Sequence, residues 1–151
     1  MAPPVQQEWI PWITRAVVTH FHELTRSGLY VQIPNAPDER ANHAIWADIR
    51  IDGPIFQYSN PDSYMGYIIV DILIQAQKSH NVYSVPALFG EVAEKFVCIR
   101  VLKDDGSLLG ILDLEPGYNG NDVEIADYGL IPDTGHRRGT VVGRYSIHLE
   151  V

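Results

Sequence analysis

GYIIVDILIQAQ, residues 66–77, is the longest apolar run in the sequence, and its periodicity is two. Counting alternate residues puts Ile68, Val70, Ile72, Ile74 and Ala76 on one face, all apolar, and Tyr67, Ile69, Asp71, Leu73, Gln75 and Gln77 on the other, which is mixed. The β-branched residues in the run suit a pleated surface, and the segment is longer than the common strand of about 5–6 residues. The stretch therefore predicts a central member of a sheet.

Two other stretches share its period. In TVVGRYSIHLEV (140–151) the residues Val141, Gly143, Tyr145, Ile147, Leu149 and Val151 alternate with Thr140, Val142, Arg144, Ser146, His148 and Glu150. Its length matches the central strand, so the two are expected to be sheet neighbours. Ala44 to Asp52 alternates Ile45, Ala47, Ile49 and Ile51 against Trp46, Asp48, Arg50 and Asp52. Gly53-Pro54 is expected to break that strand, Ile55 to Tyr58 to resume it, and Ser59 to Ser63 to turn before the central strand, giving an antiparallel hairpin with a long tip.

Between these strands the period changes. From Glu8 to Arg26, Ile10, Ile13, Val17, Phe21 and Leu24 recur at helical spacing, with Pro11 admissible only in the first turn and Ser27-Gly28 as the stop. Leu29 to Ile33 reads as a short strand stopped by Pro34. A second helix is expected to start at Ser84, with Pro86 in its first turn and Leu88, Phe89, Val92 and Phe96 as its buried stripe. Cys98 to Leu114, with the Asp105-Gly106 turn signal inside it, reads as a β-hairpin, and the loop PGYNGND (116–122) separates it from Val123 to Ile131. The expected architecture is a single α+β domain over 1–151: an antiparallel β-sheet with two main helices on one face, plus an extra β-hairpin.

With 151 residues, 46% of them hydrophobic, the chain is large enough for a substantial core. Its single cysteine, Cys98, permits no intrachain disulfide and fits a reducing compartment. There is no signal-peptide pattern, and Asp71 interrupts the longest apolar run well short of the ~20 residues a membrane helix needs, so a soluble protein is expected. A net charge of −8, from 11 Lys plus Arg against 19 Asp plus Glu, argues against a surface that binds nucleic acid by neutralising phosphates.

Chemical signatures are sparse. The sequence has no GxGxxG, P-loop, GxSxG, HExxH or CxxC. His20 and His22, two residues apart on a helix, point about 200° apart and cannot share a metal. Asp113, Glu115, Asp122, Glu124 and Asp127 bracket the glycine-rich loop, but their spacing is not that of an EF-hand, and a solvated acidic loop is the plainer reading. DTGHRRG (133–139) gathers His136, Arg137 and Arg138 at an expected exposed tip, a candidate contact for an acidic partner protein or a solubilising turn. No cofactor or metal is expected.

The order of elements, carried by WIPWITRAVVTHFHELTR (9–26), GYIIVDILIQAQ (66–77), VPALFGEVAEKF (85–96) and TVVGRYSIHLEV (140–151), resembles the tail terminator and tail-completion proteins of long-tailed bacteriophages. That resemblance implies a structural virion protein and no enzyme: a hexameric ring in the neck that caps the tail tube, stops its polymerisation and joins it to the head-tail connector. The implied partners are further copies of the chain, the tube protein and the connector, with DNA sliding through without specific binding. The segment 98–127 is longer than the minimal family pattern.

A head-to-tail ring needs two different surfaces that match, and exposed aromatic residues are natural anchors. Trp9, Trp12 and Trp46, expected opposite the core, and Tyr58 and Tyr64, in the hairpin tip, are the candidates, together with His136, Arg137 and Arg138. Two other classes stay open on the sequence: a small α+β enzyme acting on a sugar or nucleotide, with Asp133, His136, Arg137 and Arg138 as its site, and a ligand-binding or adaptor module.

Overall fold

The computed structural model describes residues 8–34, 36–60, 63–77, 84–116, 123–130 and 136–149. Helix α1 (Trp9–His22) passes into a 3-10 turn at Glu23–Ser27 and ends at Gly28, whose φ of 84° is open only to a residue without a Cβ at little cost. Then come β1 (Tyr30–Gln32), β2 (Ile45–Asn60), β3 (Ser63–Ala76), α2 (Ser84–Glu94), β4 (Ile99–Leu102), β5 (Leu108–Leu114), β6 (Val123–Leu130) and β7 (Arg137–Leu149).

The seven strands form one sheet in the order β1-β2-β3-β7-β5-β4. The two long alternating stretches are direct neighbours: β3 pairs antiparallel with β7 from Gly66↔Ile147 to Ala76↔Arg137. The free side of β7 is shared end to end, with β6 on its first half and β5 on its second. The sheet is mixed rather than wholly antiparallel, because β1 runs parallel to β2. The polar connection after β1 turns the chain back through a short 3-10 turn at Arg40–Asn42, so β2 starts out in the direction of β1.

The period-two reading decides which side chains are buried. Ala47, Ile49, Ile68, Val70, Ile72, Ile74, Ala76, Val141, Tyr145 and Ile147 share one face and form a single cluster with Ile13, Val17 and Phe21 of α1 and Phe89 and Val92 of α2. Strand β7 accommodates this layer with glycines. A Cβ on Gly143 would stand 2.5 Å from Phe96 Cδ1, and one on Gly139 would run into the Phe89 ring. Phe96 in turn lies 4.8 Å from Phe21 and is stacked on Tyr145 at 6.2 Å between ring centroids. The Tyr145 hydroxyl donates to the Val97 carbonyl at 3.0 Å, and its burial pushes the phenol pKa up.

Gly53-Pro54 does not end its strand. The β2–β3 pairing skips two residues between Asp52 and Ile55, with a cis peptide and a Gly53 φ of 109°, and then continues from Ile55↔Tyr67 to Asn60↔Ser63. Beyond Gly66 the described pairings of β3 are with β2 alone, so residues 57–60 and 63–65 form a two-stranded ribbon projecting past the rest of the sheet. At the other end, β4 and β5 pair antiparallel around a turn in which Ser107 accepts from Lys103 N–H at 2.8 Å and Gly106 takes a φ of 85°.

Candidate functional site on the mixed face of the sheet

The face of the sheet turned away from the helices carries the second set of alternating residues. Cross-strand register sets Arg50, Asp71 and Val142 in one row, and Asp48, Leu73 and Thr140 in the next. All of these but Asp48 line a cavity of about 470 Å³, together with Arg138 of β7 and Tyr128 of β6. Leu73 is its floor, 2% exposed although it lies on the mixed face. Tyr128 is its rim, 59% exposed. It stands in the irregularity where the β6–β7 pairing passes from Asp127↔Gly139 to Gly129↔Arg138, so it escapes the strict alternation of the ladder.

Electrostatically the cavity is uneven. Asp71 Oδ1 is buried and has no hydrogen-bond partner, and burial, against the attraction of Arg50, holds its carboxyl above the usual carboxylate range. Four of the eight arginines are engaged in ion pairs among the described residues: Arg15 by Asp104 at 2.9 Å, Arg40 by Asp38 at 2.7 Å, Arg137 by Asp127 at 3.0 Å and Arg144 by Glu115 at 2.8 Å. Arg50 and Arg138 have neither a hydrogen bond nor an ion pair among the described residues.

Further along the same face Arg144 lies 3.9 Å over the Tyr67 ring while Glu115 also accepts from the Ser146 hydroxyl at 2.6 Å. Asp113 accepts from the Cys98 thiol at 3.1 Å, which, with burial, pushes the thiol pKa up and disfavours the reactive thiolate. The acidic residues flanking the 116–122 loop thus answer different partners. Among the described residues no group of three or more His, Cys, Asp or Glu is placed to hold a metal ion.

The residues singled out in the sequence separate into groups. Trp9 is only 2% exposed and cannot be a surface anchor: the buried stripe of α1 runs Trp9, Ile13, Val17, Phe21 at intervals of four, and Ile10 is the exposed residue. Trp46 is likewise buried, 7% exposed, although it is on the polar parity of β2, because His136 packs edge-on against it at 5.6 Å. Trp12 is half-buried and lines a second groove, about 600 Å³, between α1 and the β4 edge, together with Asp104 and Arg15. Tyr58 and Tyr64 are opposite one another in the projecting ribbon.

His136, Arg137 and Arg138 do not form an exposed basic tip. All three are half-buried against the sheet, one on Trp46, one on Asp127 and one in the cavity. Asp133 lies outside the described residues, as does Asp122. Arg50, Asp71 and Tyr128 were missed as site residues. Alternation places Arg50 and Asp71 on the mixed face, but only the register puts them opposite one another. Among the described residues no helix is long and apolar enough to cross a membrane.

No family model matches the chain, and no curated protein matches it. Four solved chains do. One of them has 10% sequence identity and a TM-score of 0.63, with 93% of this chain and 96% of that chain covered. At that identity the likeness shows a shared fold over nearly the whole of both chains and nothing about activity.

Proposed function

We propose that this chain is a structural virion protein of a tailed bacteriophage, a tail terminator that assembles as a ring of six copies in the neck, closes the tail tube and joins it to the head-tail connector. The observation that carries the reading is the ribbon formed by residues 57–60 and 63–65, which leaves the sheet and pairs with nothing else among the described residues. A closed head-to-tail ring requires one surface to fit a different one on the next copy. A projecting ribbon and a sheet face that carries no helix among the described residues are unlike surfaces of that kind.

Charge is compatible with the same role. A wall carrying a net −8 per copy repels the phosphates of passing DNA, so the DNA slides through without being held. The tube protein and the connector meet the two open sides of the ring. Removing residues 59–63 is the direct test. The shortened chain is expected to keep its fold while yielding separate heads and tails in an assembly reaction, and an undiminished number of joined particles would remove the ribbon from the interface.

A further inference from the structure

Building on the ring reading, we propose that neighbouring copies join by sheet extension. The outer edge of β2 at residues 56–58 of one copy adds as a parallel strand to the open edge of β4 in the next. Strand β4 ends the order β1-β2-β3-β7-β5-β4, and β1 covers β2 only from Trp46 to Asp48, so both edges are unpaired among the described residues. An open edge is a row of backbone donors and acceptors that templates another strand.

The two edges stand at the same height. Across the sheet Phe56 is opposite Gly66, Gly66 opposite Ile147, Ile147 opposite Leu112 and Leu112 opposite Ile99. One residue further along, Gln57 is therefore level with Arg100. Four antiparallel pairings separate β2 from β4, so the two strands run in the same direction. Copies related by rotation about an axis along the strands bring these edges together without a shift, and a head-to-tail contact without rise closes into a ring instead of a filament.

The backbone groups are also in phase. Arg15 donates to the Leu102 carbonyl at 3.2 Å, so that carbonyl faces away from β5, and by alternation so do the N–H and C=O of Arg100. On the other edge, Gln77 N–H donates to the Ala44 carbonyl at 2.8 Å, which turns the odd-numbered residues of β3 towards β2. Tyr67 and Met65 thus bond Ile55 and Gln57, and the backbone groups of Phe56 and Tyr58 face outward. In a parallel pair, one residue bonds the two that flank its opposite. With Arg100 opposite Gln57, the Arg100 N–H donates to the Phe56 carbonyl and the Arg100 carbonyl accepts from the Tyr58 N–H.

There is room for the added strand. A groove of about 600 Å³ separates α1 from the β4 edge, lined by Trp12, Ala16 and Thr19 on the helix and Ile99, Arg100 and Leu102 on the strand. Large apolar residues left exposed flank both edges: Ile55 at 37% on β2, Val97 at 51% just before β4 and Leu102 at 42% at its end. In this register Ile55 comes opposite Cys98, beside Val97, and apolar surface leaves water on both copies.

Disulfide trapping reads the contact directly. Gln57→Cys and Arg100→Cys, in a Cys98→Ser chain so that no other thiol is present, are oxidised singly and together, with the native mass measured alongside. Opposite residues on paired strands are within disulfide reach. The chain carrying both cysteines is expected to run as a ladder of linked copies up to six on a denaturing gel, and neither single variant to link. Tyr58→Pro is an independent arm, because it removes an N–H that serves no bond within the copy. It should weaken each contact by about tenfold, as loss of a hydrogen bond does, and lower the six-copy fraction with an unchanged circular dichroism spectrum. A six-copy particle that does not link through both cysteines, or that forms normally with Tyr58→Pro, would overturn the edge pairing and leave the ring standing. A chain that stays monomeric or dimeric with tail tubes and connectors present would overturn both.

Discussion

The contact between Phe96 and Gly143 gives the fold a quantitative test. Phe96 is buried between Phe21, Tyr145 and the bare backbone of Gly143, so replacing it with alanine removes a large apolar group and two aromatic contacts at once. A Phe→Ala change at such a site costs about 3–5 kcal/mol. For a domain of this size that corresponds to a fall in Tm of roughly 6–20 °C. Gly143→Ala alone should cost about 1–3 kcal/mol, because its Cβ would lie 2.5 Å and 2.7 Å from two Phe96 ring carbons.

The informative variant is the double one. Once the ring is gone, the new methyl group enters the vacated space and also removes the conformational freedom that glycine gives the unfolded chain. Leu114 Cδ1, 3.0 Å from the Cβ position, is the end of a flexible side chain and can give way. Phe96→Ala/Gly143→Ala is therefore expected to be no less stable than Phe96→Ala, a coupling of about 1–3 kcal/mol. Urea unfolding followed by far-UV circular dichroism, at one fixed protein concentration, measures it. Costs that add to within about 0.5 kcal/mol would refute the reasoning, since residues that share no contact behave that way.

Other outcomes follow from the placement of individual side chains. Trp9→Ala should lower stability by about 3–5 kcal/mol, since the ring is buried at the start of α1, whereas Trp12→Ala, half-buried on the α1–β4 groove, should cost roughly 1 kcal/mol; thermal melts of the two variants compare them directly. Asp71 binds its proton more tightly in the folded chain than in the unfolded one, so its ionisation weakens the fold as pH rises from the ordinary carboxylate range through the raised value. Asp71→Asn should therefore gain stability relative to the natural chain as pH rises above the ordinary carboxylate range, and a pH series of melts should show the gap opening from its acid end.

Much of this architecture is legible in the sequence because strands read with a period of two. The alternation in 44–52, 66–77 and 140–151 assigns the core face of three adjacent strands, and the β3–β7 pairing follows from it. The parallel placement of β1 is not legible, because it depends on where a polar connection returns the chain. Gly53-Pro54 was expected to break a strand and instead forms an irregularity within one, since a long antiparallel partner can hold the ladder on both sides of it.

The site was less accessible to sequence reasoning than the fold. Trp46 occupies a position whose alternation marks it as exposed, and only the three-dimensional return of His136 buries it. Arg137 and Arg138 are adjacent in sequence and so read as one basic patch, but adjacent strand residues face opposite ways, one towards Asp127 and the other into the cavity. Arg50 and Asp71 are 21 positions apart in the sequence and meet through pairing alone.

The native mass of the purified chain in solution bears most directly on the proposed ring. Six copies of a 17.0 kDa chain give a particle of about 102 kDa, and that is the species the account predicts, with its proportion falling when residues 59–63 are removed. A chain that stays monomeric or dimeric even when mixed with tail tubes and connectors would contradict it.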